Sequence, residues 1–125
     1  MKKLESKGLT GVPSGASVHT GFLGAYNVAA NEVLSLVAGQ LKSYPSYKVV
    51  VTGHSLGGAV ASLAAVSIKS AHPNVALKLY TYGQPRTGNA AFASYVESKI
   101  GVSNIYRAVH TYGECACDYG TSGLY

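Results

Sequence analysis

Negative charge is scarce in this 125-residue chain. There is one Asp, Asp118, and four Glu, against ten Lys and Arg. A mechanism that needs a carboxylate pair, or a metal held in a carboxylate cage, has little to draw on. Cysteine is scarce as well. Cys115 and Cys117 form a C-x-C near the end, too few for a disulfide framework or a four-cysteine zinc site. Neither a metal nor an organic cofactor is expected. No apolar run approaches the ~18 residues of a transmembrane helix. The opening Met-Lys-Lys-Leu-Glu-Ser-Lys-Gly is basic but has no apolar stretch behind it, so it does not read as a signal peptide.

Charged residues make up only 12% of the chain, about half the usual share. The net charge is +5. The cations are dispersed, apart from Lys2, Lys3 and Lys7, and no Lys/Arg stripe is interleaved with aromatics. Solvated surface charge explains them, and no nucleic-acid partner is expected. Hydrophobic residues reach 47%, so the chain has the material for a core and is not disordered. Its length suits one small domain.

Residues 1–17 are polar and rich in Gly and Ser, and read as an arm or linker. Phe22, Tyr26, Ala29/Ala30, Val33, Leu36/Val37 and Leu41 recur at helical spacing, predicting a helix that stops before Pro45. Tyr47 to Thr52 predicts a buried strand. Ala59 to Ser70, nearly all small or apolar, predicts a helix buried on most sides. Val75 to Tyr82 predicts a second strand, and residues 83–88 a loop. Asn89 is placed to cap a third helix through Ser98. Asn104 to His110 predicts a third strand. Strands alternating with helices imply a mostly parallel sheet with right-handed crossovers. Residues 112–125 break the pattern and form an atypical tail.

The chemistry-bearing motif is Gly53-His54-Ser55-Leu56-Gly57, a G-x-S-x-G between a predicted strand and a predicted helix. That context is the one a nucleophile elbow requires. In such an elbow the serine is held on a strained corner with its hydroxyl clear of the sheet. Gly53 and Gly57 are expected to remove collisions two residues to either side, and Gly58 to let the helix start close to the strand. The N–H of Leu56 is the natural oxyanion donor, aided by the helix N-terminus. The bland alternative is a Gly-rich turn with an incidental serine.

Serine is a weak nucleophile without a base and an orienting acid. On this fold they follow the serine in the order acid, then His. His19 precedes Ser55. His54 adjoins it and points elsewhere. His72 lies in a helix-ending His-Pro-Asn turn. His110 ends the third strand on the expected side, but no Asp lies between, and Glu97 sits on a predicted helix where a solvated role is expected. No His follows Asp118. The residues therefore supply a nucleophile and no recognisable base, with a Ser55–His110 dyad left open.

Four stretches carry a resemblance: VHTGFLGAYN (18–27), VVVTGHSLGGAVASLAA (49–65), YTYGQPRTGN (80–89) and IYRAVHT (105–111). In this order they resemble the fungal class 3 lipases, an α/β-hydrolase branch that includes related feruloyl esterases. The similarity covers residues 18–111. It implies a serine hydrolase of carboxylic esters, of triacylglycerol-lipase type, acting on lipid or another ester at a lipid–water interface, in a family that is mostly secreted. Ser55 matches the nucleophile and Leu56 an oxyanion donor. Gln84, Pro85 and Arg86 match a loop-shaping signature, and His19 with Gly21 a structural one.

The resemblance also implies parts that are not found. A strand ending F-R-G-T/S, source of the other oxyanion donor, and a lid helix precede this region in the family. The family's catalytic Asp falls at Gly113 here, beside Glu114, and its catalytic His has no counterpart. The expectation is thus a three-layer α/β-hydrolase-type fragment with a mostly parallel sheet, cut at both ends. Its functional alternative is a catalytically inactive lipase fragment lacking the Asp and His. A sheet without its neighbours is expected to associate or dissolve poorly.

Overall fold

In the computed structural model, residues 2–3 and 9–109 are described. The order of elements is β1 (Lys2–Lys3), β2 (Ser17–Val18), α1 (Thr20–Ser43), β3 (Val49–His54), α2 (Leu56–Ala71), β4 (Leu77–Tyr82), α3 (Ala90–Ile100), a 3-10 turn (Val102–Asn104) and β5 (Ile105–Ala108). The alternation read from the pattern is present. β3, β4 and β5 form a parallel sheet in that order, with Val49 opposite Leu77 and Leu79 opposite Ile105.

The helices stand where strand chirality puts them. β3 to β4 and β4 to β5 step the same way across the sheet. Right-handed crossovers then place α2 and α3 on one face. Strand alternation agrees with this. Val49, Val51, Leu77, Leu79 and Ile105 join the core with Ala61, Leu63, Ala65, Val66, Phe92 and Val96. α2 is buried on most sides, as its composition requires, and α1 lies along it through Leu23 and Tyr26. Two of the three expected layers, sheet and helices, are thus present among the described residues. The other sheet face carries Val50, Thr52, His54, Lys78, Tyr80, Tyr82, Tyr106 and Ala108 in cross-strand register. Val50 is 61% exposed there. Tyr80 and Tyr106 stack at 4.6 Å, with the Lys78 ammonium 5.6 Å from the Tyr106 ring.

Element ends follow local chemistry. α1 stops at Ser43, one residue before Tyr44-Pro45, with the Tyr44 N–H donating to the Gln40 carbonyl. Asn89 caps α3 by accepting from the Phe92 N–H at 3.1 Å. Gly101, at φ 86°, closes the helix two residues later than expected. α2 begins three residues earlier than expected, because the chain turns at Ser55 alone.

Residues 9–17, the described stretch of what was expected as an arm or linker over 1–17, are docked. Asn89 donates to the Gly15 carbonyl at 2.8 Å and accepts from the Ser17 N–H at 3.1 Å. The Tyr95 hydroxyl donates to the Thr10 carbonyl at 3.0 Å, and the Lys99 ammonium reaches the Thr10 hydroxyl at 2.8 Å. Such long-range polar ties leave no periodicity in the sequence.

Candidate active site

Because the strands are parallel, their C-terminal ends share one edge of the sheet. There β3 passes to α2 through one residue, Ser55. Its backbone sits at φ 52°, ψ −125°, and no other non-glycine among the described residues has positive φ. A conformation of this kind costs about 1–3 kcal/mol and persists only when its surroundings over-determine it. They do here. The Ser55 N–H donates to the Tyr82 carbonyl at 2.9 Å, and the Ser55 carbonyl accepts from the N–H groups of Gly58 (2.9 Å) and Ala59 (3.3 Å). The side chain makes no capping bond to α2, so the helix does not consume its hydroxyl.

Leu56 and Gly57 open α2. Their N–H groups lie in the first turn, where a helix offers no acceptor and carries partial positive charge. Leu56, at this end of the helix, is 54% exposed.

The two motif glycines differ. A Cβ on Gly53 would run into the carbonyl of Gly57 and stand 2.8 Å from the Gly58 nitrogen, so the strand and the helix start are in backbone contact. A Cβ on Gly57 would meet no described atom within 4 Å beyond its chain neighbours and the backbone of its own helix. The expected steric role of Gly57 is therefore corrected: the crowding falls on Gly53, and Gly57 supplies the backbone it crowds against. Gly58 is tight, as expected, but its neighbour was not foreseen. A Cβ there would lie 3.1 Å from Cβ and 3.4 Å from Cγ of Gln84.

Gln84 belongs to the loop that follows β4. Gly83, at φ 56°, donates its N–H to the Ala108 carbonyl at 2.8 Å. Gln84 is 2% exposed; its amide donates to the Thr87 hydroxyl at 2.8 Å, and Thr87 donates to the Pro85 carbonyl at 3.2 Å. Arg107 donates to the Gln84 backbone carbonyl at 2.8 Å, and Arg86 to the Gly88 carbonyl at 3.1 Å. The loop thus braces the corner. Thr87 was not singled out from sequence; the available signal was a glutamine with a threonine three residues on, in a Gly- and Pro-bounded loop.

The described histidines, His19, His54 and His72, do not converge on Ser55. His19 caps α1, its Nδ1 accepting from the Gly21 N–H at 3.2 Å while its ring packs on Phe22 at 4.6 Å. His54 ends β3 on the exposed face, and His72 caps the C-terminus of α2. None of these three histidines hydrogen-bonds Ser55. Glu97 lies on α3, half-buried. His110, Gly113, Glu114, Cys115, Cys117 and Asp118 fall outside the described residues. Among the described residues no three His, Cys, Asp or Glu group as a metal site, and no helix is long and apolar enough to cross a membrane.

Comparison with known proteins bears on this geometry. The family model "Lipase (class 3)" matches residues 2–112. A lipase of Rhizomucor miehei is 52% identical over 88 residues, covering 68% of this chain and 24% of that protein. A secreted mono- and diacylglycerol lipase of Fusarium solani is 43% identical over 97 residues, 78% of this chain and 28% of that one. A solved structure, described as a triacylglycerol lipase whose catalytic centre is a serine protease triad, superposes with a TM-score of 0.72 at 49% identity, over 78% of this chain and 37% of that one. The chain spans about a quarter of the length of these curated relatives.

Proposed function

The chain belongs to the class 3 lipase family, and from that premise we propose that it carries the nucleophile of a carboxylic ester hydrolase acting on acylglycerols. The observation that carries the proposal is the Ser55 corner: a positive-φ serine at the N-terminus of α2, its hydroxyl making no capping bond to the helix. Strained non-glycine backbone held by its surroundings is characteristic of functional sites.

The chemistry follows from the parts. The Ser55 Oγ attacks the ester carbonyl carbon, its proton passing to a base. The carbonyl oxygen becomes an oxyanion, which the Leu56 N–H stabilises in this reading. One such donor is typically worth on the order of 3 kcal/mol in the transition state. The tetrahedral species collapses, the alcohol leaves with the proton, and Ser55 holds the acyl group as an ester. Water, deprotonated by the same base, releases the acid and restores the hydroxyl. The base must come from outside the described residues, and His110 and Glu114 are this chain's candidates. The serine protease triad named for the structural neighbour supports this order of events by kinship.

The substrate class rests on the relatives, named as lipases and as a mono- and diacylglycerol lipase. Such substrates aggregate, so we extend the proposal to a lipid–water interface. The word "secreted" in a relative's name supports action outside the cell for the whole protein. The test is hydrolysis of p-nitrophenyl butyrate by the full chain beside Ser55→Ala, together with fluorophosphonate labelling. Hydrolysis and labelling that both vanish in the variant are expected. A folded wild-type chain that neither hydrolyses nor labels would establish the alternative, a lipase-family segment that keeps the corner without the reaction.

A further inference from the structure

We propose that Gln84 is the positioning residue of the Ser55 corner, its buried stem forming the seat on which the first turn of α2 rests. The catalytic consequence rests on the reading of Ser55 given above; the geometry does not. A glycine at 58 brings the backbone of α2 as near to the Gln84 stem as packing allows, since a Cβ there would stand 3.1 Å from the Gln84 Cβ. The Gly58 N–H in turn donates to the Ser55 carbonyl at 2.9 Å. Where Gly58 sits therefore governs the peptide plane between Ser55 and Leu56, and that plane carries the Leu56 N–H.

Gln84 is itself fixed at both ends. Its backbone carbonyl is held by Arg107 from β5. Its side-chain amide donates to Thr87, whose one hydroxyl proton is committed to Pro85, so the amide nitrogen has to face the hydroxyl. Thr87 continues outward. Its carbonyl accepts from the His19 N–H at 2.8 Å, and Gly88 bridges Val18 beside it. A run of contacts thus leads from β2 and the α1 cap, through Thr87 and Gln84, to Gly58 and Ser55.

A second observation argues that this is more than ordinary packing. The Gln84 Oε1 is buried with no hydrogen-bond partner among the described residues. An orphaned acceptor is costly, and an apolar side chain of the same length would fill the space without that cost. The amide is the feature that orients the stem, through Thr87. A residue selected only for filling the core would not need it.

The experiment is native-state amide hydrogen exchange on the full chain and on Gln84→Ala, Gln84→Met and Ile68→Val. In Gln84→Ala the Ser55, Gly58 and Ala59 amides are expected to exchange on the order of tenfold faster than any change seen at Val66, the factor that about 1.4 kcal/mol of local opening produces. Gln84→Met keeps the stem and loses the amide, so it should recover part of the protection. It also decides the matter if the alanine variant does not fold. Ile68→Val, in the far half of α2, should raise exchange without singling out the corner. Uniform acceleration along α2 in the Gln84 variants, or none, would overturn the proposal. Fluorophosphonate labelling of Ser55 should slow in the same order as corner protection falls. A wild-type chain that takes no label would sink the hydrolase reading while the exchange data still decide Gln84.

Discussion

Replacing either motif glycine with alanine separates the geometry from the motif. At Gly53 the added Cβ collides with the Gly57 carbonyl and stands 2.8 Å from the Gly58 nitrogen. Carbon and its neighbours prefer roughly 3.5–4.0 Å. The obstructing atoms are backbone at a helix start, pinned by the bonds from Gly58 and Ala59 to Ser55, so they yield only by moving the corner. Overpacking costs about 1–3 kcal/mol, and a backbone obstacle puts Gly53→Ala at the upper end. For a chain of this size about 3 kcal/mol lowers Tm by roughly 10 °C. At Gly57 the Cβ enters open space, φ is not positive, and the position is helical. Alanine there should be neutral or stabilising by up to about 1 kcal/mol. The assay is urea and thermal unfolding of the full chain with each variant. A Gly57→Ala loss equal to that of Gly53→Ala would refute the packing account of the corner.

Three further outcomes follow from the fold. Asn89→Ala removes a helix cap and two ties to residues 15–17, and should cost about 2 kcal/mol in urea unfolding, with Asn89→Asp costing less because the acceptor survives. Val50→Lys, on the open sheet face, should leave stability within ~0.5 kcal/mol and reduce light scattering by the purified chain. Val51→Lys, one residue on and facing the helices, should prevent folding, and equal tolerance of both lysines would contradict the alternation of β3.

The order of strands and helices was legible in sequence because each element announces itself over several residues. The small-residue helix after Gly53 and Asn89 ahead of the third helix matched the structure. The β-branched run before Gly53 forms a strand, but over Val49–His54 and with alternate residues exposed rather than buried, because no helix among the described residues covers its second face. The Ser55 corner was legible because a short signature in a strand-to-helix setting has few other physical readings. What escaped was contact across sequence distance. Gly57 looked sterically necessary because its partner glycine is, and only the direction of its missing Cβ distinguishes them. Residues 9–17 looked loose because what binds them is Asn89, Tyr95 and Lys99, some 70 to 90 positions away. Gln84 matched a signature, but its role as a seat exists only once β4 is placed beside β3.

The strain at Ser55 yields a sharper test of whether the corner exists for function. Ser55→Ala keeps the Cβ and so keeps the cost of positive φ; Ser55→Gly removes both. The two variants are equal in lacking the hydroxyl, so hydrolysis should be lost in both. They should differ in stability. Glycine relieves about 1–2 kcal/mol of strain and gives back about 0.5–1 kcal/mol in chain entropy, leaving Ser55→Gly more stable than Ser55→Ala by about 1 kcal/mol. It should also equal or exceed wild type, since the hydroxyl makes no capping bond. A position that folds better once its side chain is gone keeps that side chain for chemistry. If unfolding places glycine below alanine, the corner is not strained by its Cβ, and the backbone at Ser55 no longer argues for a nucleophile.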